Sequence, residues 1–355
     1  MPKEKCRDES GTHLVACLAA ESGGTSRGGA GMNRLGSHLG RILAVAVAAS
    51  LAVAALYWFG PVSVASASVR PAASTGPCGI QAKAPAHYKH VIWVWMENHS
   101  YSTIIGASAA PYINSLASQC GLATNYHNIT HLSLANYVGA TSGLSLQGVQ
   151  EFTGDCNPSL TCDTTSASLF GQAKKWRAYE EGMPSSCDTS SSGEYAVRHN
   201  PPLYFTTLKK ACPGSDVAYT KLASDLAANT LPAFAFVTPN LIDDMHDGTI
   251  AQGDSWLSTN IPTILNSSAY KSGSVVVFIT WDEGEGGSSN DCATNTTDIG
   301  CHVATLVVSP STKAGTSSAS LFSHYSLLRT TEELLGLPLL GQAKTANSMK
   351  LAFNL

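Results

Sequence analysis

The sequence predicts an α/β domain, with a largely parallel sheet lying between layers of helices. Three observations carry that expectation. Apolar runs at 91–96, 234–237 and 274–280 lack the alternation of a half-exposed strand, as expected of strands covered on both faces. Segments with helical apolar spacing lie between them. Strands that alternate with helices along a chain pack as a parallel sheet between helical layers. No internal repeat interrupts the pattern. A chain of 355 residues suffices for one large domain or two small ones.

The N-terminal part reads as an export segment. Residues 1–31 are rich in Gly and Ser, and Met32 opens a stretch with Arg34 and Arg41 as its positive flank. Ile42 to Phe59 is almost wholly apolar, and Ala65-Ser66-Ala67 supplies a small-residue cleavage signal. On this reading Met32 is the start and Ser68 the first mature residue. The alternative is an uncleaved anchor, since the apolar run approaches the length of a membrane span. The expected division is 1–67 as extension and export signal, 68–87 as linker, and 88–355 as the catalytic domain. Eight cysteines follow the export segment, and an even number in an exported chain reads as disulfides. Pairing of chain neighbours gives Cys78–Cys120, Cys156–Cys162, Cys187–Cys212 and Cys292–Cys301. Charged residues make up 13% of the chain and the net charge is −4, with no basic stripe or tail, which argues against a nucleic-acid partner.

In chain order, the strand from Val91 is followed by a helix near Ala110–Gln119 and a polar stretch from Thr124 to Leu132. Ser133 to Thr141 reads as a helix with Ser133 at its start and Gly143 at its end. Residues 154–165 form a loop held by Cys156 and Cys162. Leu169, Phe170, Ala173 and Trp176 recur at helical spacing over 166–176, and 177–180 reads as a short strand. One or two helices are expected over 203–231, a strand at 234–237, and a helix at 254–265. The most strand-like stretch, 274–280, precedes Trp281-Asp282-Glu283; a further strand spans 302–310, and a helix spans 322–337.

Two of these strands end in oxygen-bearing pairs, Glu97-Asn98 and Asp282-Glu283. Each pair alone could be a helix cap or a solvated turn. Parallel strands bring their carboxyl ends to one edge, where α/β ligands collect, and carboxylate and amide oxygens suit one hard divalent cation. Ser133, at a helix N-terminus that favours developing negative charge, is the nucleophile candidate. Thr130 and Ser168 compete with it, and spacing does not eliminate either. His131, His199 and His246 lie in polar stretches where they could meet phosphate oxygens or protonate a leaving group, with Asp244 and Asp247 placed to orient His246.

Taken in order, Met96-Glu97-Asn98-His99-Ser100-Tyr101, His131-Leu132-Ser133-Leu134-Ala135-Asn136-Tyr137, Arg198-His199-Asn200-Pro201, Asp244-Met245-His246-Asp247 and Trp281-Asp282-Glu283 resemble a secreted phosphoesterase family. That family includes bacterial acid phosphatases, phosphatidylinositol phosphatases and phospholipases C. The resemblance implies a three-layer α/β/α sandwich with a mostly parallel central sheet, similar to the alkaline phosphatase superfamily. It implies one divalent cation (Ca, Mg, Mn or Zn) held by Glu97, Asn98, Asp282 and Glu283. It places the nucleophile on Ser133, catalytic histidines at His131 and His246, and phosphate contacts at Asn136 and His199. A monomeric phosphomonoesterase acting on phosphomonoesters or phosphoinositides is the expected function, with phospholipase C activity and an inactive binding homologue as alternatives. Membrane contact is expected only through the export segment or a lipid substrate. The family usually carries proline where this chain has Leu132 and Ala135, and its absence is expected to cost preorganisation.

Overall fold

The apolar run after His90 becomes the middle of the sheet, with every side chain from Val91 to Met96 buried. The computed structural model describes residues 76–152, 154–285 and 300–355. The export segment and Cys292 lie outside the described residues. In chain order the strands are β1 (His90–Met96), β2 (Gly121–Ala123), β3 (Tyr126–His127), β4 (Trp176–Glu180), β5 (Asp216–Ala218), β6 (Phe234–Thr238), β7 (Val275–Trp281), β8 (Thr305–Val308), β9 (Thr316–Ser318) and β10 (Phe322–Ser323). Eight of them form one sheet in the order β5-β4-β6-β1-β7-β8-β2-β9, and β10 pairs with β3 separately.

The run from β5 to β7 is parallel throughout, while β8 is antiparallel to both β7 and β2. The sheet is therefore mostly parallel with flanking helices, as the sequence predicts. Its apolar centre explains the cohesion. Trp93 meets Phe234 edge-on at 5.0 Å, Trp95 lies 5.4 Å from Phe236, and both indoles are inaccessible to solvent. Burying such side chains contributes about 1.5–3 kcal/mol each.

Strand register sets which loops meet at the sheet edge. Met96 pairs with Trp281, so Glu97 and Asp282 leave adjacent strands at the same level. Glu180 pairs with Thr238, which brings β4 and β6 to the same edge.

The structure corrects several expectations. The segment expected as a linker is, over 76–87, tied to the domain: Cys78 is buried in a disulfide with Cys120, and Gln81 donates its N–H to Pro310 O at 2.8 Å. The helix expected over 166–176 spans only Leu169–Ala173, and Trp176 opens β4 instead. Over 203–231 the longest helix is Lys221–Ala227. Prolines and the Cys187–Cys212 bridge break the earlier part into short turns, and 216–218 is drawn into the sheet edge as β5. The chain-neighbour pairings Cys78–Cys120, Cys156–Cys162 and Cys187–Cys212 are present, and Cys301 is also disulfide-bonded. Disulfides of this kind fit an oxidising compartment. Among the described residues, no helix is long and apolar enough to cross a membrane.

Candidate active site

The C-terminal edge of the parallel strands collects acids. Glu97 follows β1, Asp282 follows β7, and Asp244 lies in the loop after β6; all three are buried. Backbone bonds fix them: Glu97 N–H donates to Asp244 O at 2.9 Å, and Asp282 N–H donates to Met96 O at 2.9 Å. Asn98 N–H in turn donates to Asp282 Oδ1 at 3.1 Å. Burial, with repulsion from Asp282 and Asp244, pushes Glu97 well above the usual range; burial raises Asp244 well above it, and burial with repulsion from Glu283 moves Asp282 up to about 8.

Ser133 arrives from the other direction. It begins the Ser133–Ser142 helix, all ten residues of which are buried. A helix covered on every side passes through the interior rather than over it. Gly143 ends it at φ +71°, where an added Cβ would meet the Leu340 carbonyl oxygen at 2.8 Å. Ser133 Oγ donates to Glu97 Oε2 at 2.9 Å. Tyr137, one helical turn later on the same face, donates to Glu97 Oε1 at 2.5 Å. The nucleophile candidate and the β1 acid, 36 positions apart in sequence, thus share a hydrogen bond.

The histidines divide into distinct environments. His199 is buried, with Nδ1 3.2 Å from Asp244 Oδ2 and Nε2 3.4 Å from Glu97 Oε1, and its ring lies parallel to that of Tyr137 at 5.3 Å. Burial, with Arg198 and His246 adding to it, holds His199 well below its ordinary value, so the ring is neutral. A buried scaffold steadies it: Thr238 Oγ1 lies 3.2 Å from both the His199 carbonyl and Glu180 Oε1, and Asn200 donates to Asp216 at 3.1 Å. His131 pairs through Nδ1 with Glu283 Oε2 at 3.1 Å, and that hydrogen bond raises its pKa. His246 places Nδ1 2.7 Å from Asp247 Oδ1, while its Nε2 faces the Arg198 guanidinium at 2.9 Å. Arg198 can only donate, so Nε2 is the acceptor and Nδ1 carries the proton.

Two residues expected to contact the ligands are engaged elsewhere. Glu283, expected beside the cation, accepts from His131 and from Leu132 N–H through Oε2, at 3.1 and 3.0 Å; it shapes the approach to Ser133. Asn136, expected against phosphate, is fully buried in the 129–132 loop. Its Oδ1 accepts from Ile129 and Thr130 N–H at 2.9 and 3.1 Å, and its Nδ2 donates to Thr130 and Leu132 carbonyls. The rival hydroxyl Ser168 caps the Leu169–Ala173 helix by accepting Gly171 N–H.

The acceptor atoms left over fit a cation. Asn98 Oδ1 and Asp282 Oδ2 are buried without hydrogen-bond partners, and Asp244 Oδ2 and His199 Nε2 have only the ion-pair contacts that His199 makes with Asp244 and Glu97. Ligand atoms of Glu97, His199 and His246 lie within 4.8 Å of one another, which makes a possible metal site. Unpartnered buried acceptors cost stability unless something positive meets them. The sequence singled out Glu97, Asn98 and Asp282 as strand-end residues, and the structure brings them to one sheet edge. The sequence did not reveal Asp244 as a member of the acid cluster or Tyr137 as a donor to Glu97; the i, i+4 relation of Tyr137 to Ser133 was the available signal.

Leu132 accounts for the missing proline. It sits at φ +79°, a strained value for leucine and one closed to proline, and its N–H is needed by Glu283. Leu132→Pro is expected to destabilise the fold by about 3 kcal/mol or more, whereas Leu132→Gly, which accepts positive φ and keeps the N–H, should stay within about 1 kcal/mol of the parent. Urea melts of the two variants check this; equal stability of both would refute the conformational account.

Residues 106–338 match the Phosphoesterase family. The matched span takes in Ser133, His199, Asp244 and Asp282, while Glu97 and Asn98 precede it. A phosphatidylinositol-3-phosphatase of Mycobacterium tuberculosis is 33% identical over 273 residues, covering 76% of this chain and 84% of its own. An acid phosphatase of Aspergillus fumigatus is 29% identical, covering 70% of this chain and 55% of its own. A phosphate-repressible acid phosphatase of Penicillium chrysogenum is 26% identical, at 70% and 59%. The chain thus spans somewhat over half the length of these fungal relatives. Among solved structures, a Vibrio parahaemolyticus protein in the alkaline phosphatase superfamily superposes with TM-score 0.50 at 11% identity, over 78% of this chain and 73% of its own. One from a study of glycosaminoglycan metabolism by Bacteroides thetaiotaomicron reaches 0.53 at 12% identity, over 75% and 82%. At such identities the likeness concerns the fold, an α/β sandwich.

Proposed function

The chain belongs to the phosphoesterase family and is a phosphoric ester hydrolase, and from that premise we propose that it is an exported, cation-dependent phosphomonoesterase with Ser133 as nucleophile. The observation that carries this reading is the 2.9 Å bond from Ser133 Oγ to Glu97, made at a helix N-terminus among buried carboxylates. Ser133 Oγ would attack phosphorus in line, with the leaving oxygen opposite. Glu97, whose Oε2 already accepts the serine hydrogen bond, is the group placed to take the serine proton as Oγ attacks. The helix N-terminus favours charge developing on the phosphoryl oxygens.

A divalent cation (Ca, Mg, Mn or Zn) would be held by Glu97, Asn98, Asp244 and Asp282, and would supply positive charge for the serine oxygen and for the phosphate. His199 stays neutral, so its single N–H serves only one of the two carboxylates beside its ring, Asp244 or Glu97. Glu283 and Asn136 hold the loop that presents Ser133. His131, whose pKa is raised by its hydrogen bond with Glu283, is the proton donor for the leaving oxygen. Of the two histidines expected to be catalytic, His246 does not suit that role, because its Nε2 accepts a hydrogen bond from Arg198. Water then hydrolyses the phosphoserine.

The M. tuberculosis relative named for phosphatidylinositol 3-phosphate suggests a phosphoinositide among the substrates. Incubation with vesicles containing phosphatidylinositol 3-phosphate or phosphatidylcholine should release inorganic phosphate from the first and no diacylglycerol from the second. Diacylglycerol as the main product would favour a phospholipase C.

A further inference from the structure

Arg198 takes no part in the chemistry assigned to Ser133, Glu97 and His131. Its side chain is mostly buried at the site. Nη2 donates to His246 Nε2 at 2.9 Å, and Nε lies 3.7 Å from Asp155 Oδ2. Asp155 also accepts Leu134 N–H through Oδ1 at 3.1 Å, in the first turn of the helix that carries Ser133. The guanidinium is therefore tied on one side to the nucleophile helix. On the other it rests on His246, whose ring lies 5.6 Å from that of His199 and whose ligand atom is within 4.8 Å of that of Glu97.

The bond to His246 is the only hydrogen bond the guanidinium makes among the described residues, out of five N–H groups. Of the acids at the site, Asp155 is the one within ion-pair reach of it, and Asp244 also feels its charge, while His246 and His199 are its ring neighbours. A phosphate dianion entering such a place gains from a positive partner beyond the cation, and a planar fork of donors matches two phosphate oxygens at once.

We propose that Arg198 is the substrate-binding residue that selects a phosphomonoester dianion, receiving the oxygens that are not displaced. The proposal rests on the phosphomonoesterase reading, and it makes a distinction that reading does not: a diester carries one charge fewer and gains less from the guanidinium.

The test uses the full chain as wild type, Arg198→Ala and Arg198→Lys. Substrates are p-nitrophenyl phosphate and bis(p-nitrophenyl) phosphate, with inorganic phosphate as inhibitor. Arg198→Ala is expected to raise KM for the monoester and the phosphate inhibition constant by about 10- to 100-fold each, the range of a lost charge-assisted contact. It should also narrow the monoester-to-diester ratio of kcat/KM by a similar factor. Arg198→Lys, with charge but no fork, should recover part of both. An unchanged inhibition constant and ratio, with loss only in kcat or in melting temperature, would make Arg198 a brace and overturn the proposal. If the wild type hydrolyses neither ester, the functional reading fails by itself. Calorimetric binding of inorganic phosphate then still decides about Arg198: equal affinity in wild type and Arg198→Ala refutes it, and weaker binding in the variant supports it.

Discussion

Ser133→Ala is expected to reduce release of phosphate from p-nitrophenyl phosphate by at least about 10⁴-fold, since loss of a nucleophile removes the covalent route and leaves only binding and charge stabilisation. The fold should survive. The substitution removes one hydroxyl and its bond to Glu97, while Tyr137 continues to donate to the other oxygen of that carboxylate. A net hydrogen bond contributes about 1 kcal/mol, which shifts the melting temperature of a domain of this size by roughly 2–4 °C. Near-normal turnover in the alanine variant would reject Ser133 as nucleophile. A large drop in melting temperature would instead show that the hydroxyl is structural, and the activity loss would then say nothing about chemistry.

Chelation should have the second large effect, on activity and stability together. Treatment with EDTA is expected to abolish hydrolysis, and readdition of a divalent cation to restore it. The acid cluster adds a pH signature. Asp282 moves from an ordinary value of 3.8 up to about 8 in the fold without a cation. A carboxyl raised on folding favours the folded state when protonated. Its contribution is fully present below pH 3.8 and is lost as pH rises through about 8. The chelated protein should therefore melt at progressively lower temperature between pH 5 and pH 8. A bound cation offsets that loss and competes with protons for the same oxygens, so its stabilising effect should be larger at pH 8 than at pH 5. With the cation at about 100 times its Kd, the gain is about 2.7 kcal/mol, or roughly 5–10 °C. Melting curves with and without EDTA at the two pH values measure it; a pH-independent difference would sink the assignment of Asp282 to the cation.

The long apolar strands were legible because their signal is local. A run such as 275–281, buried on both faces, has little composition available to it other than β-branched and aromatic residues. Strands of two or three residues, such as β2, β3, β9 and β10, carry too little pattern to be seen. Over 203–231, prolines, a disulfide and pairing with β4 overrode helical spacing. At the site, the identity of the acids that end strands could be read. Their partners could not, since a side chain such as Asn136 or Glu283 offers the same atoms to a ligand or to a neighbouring loop.

Two residues show the division between sequence and tertiary structure. The sequence alone determined that Glu97 and Asp282 end parallel strands and so come to one edge of the sheet, because strand direction and connection are encoded in alternating local patterns. Only the tertiary structure decided that Ser133 and Tyr137 bond to Glu97, that Asp244 joins the acid cluster, and that His246 accepts from Arg198. Those outcomes depend on register, on helix rotation and on competition between donors within about 3 Å, the reach of a hydrogen bond, and nothing at that scale is written in the spacing of residues along the chain.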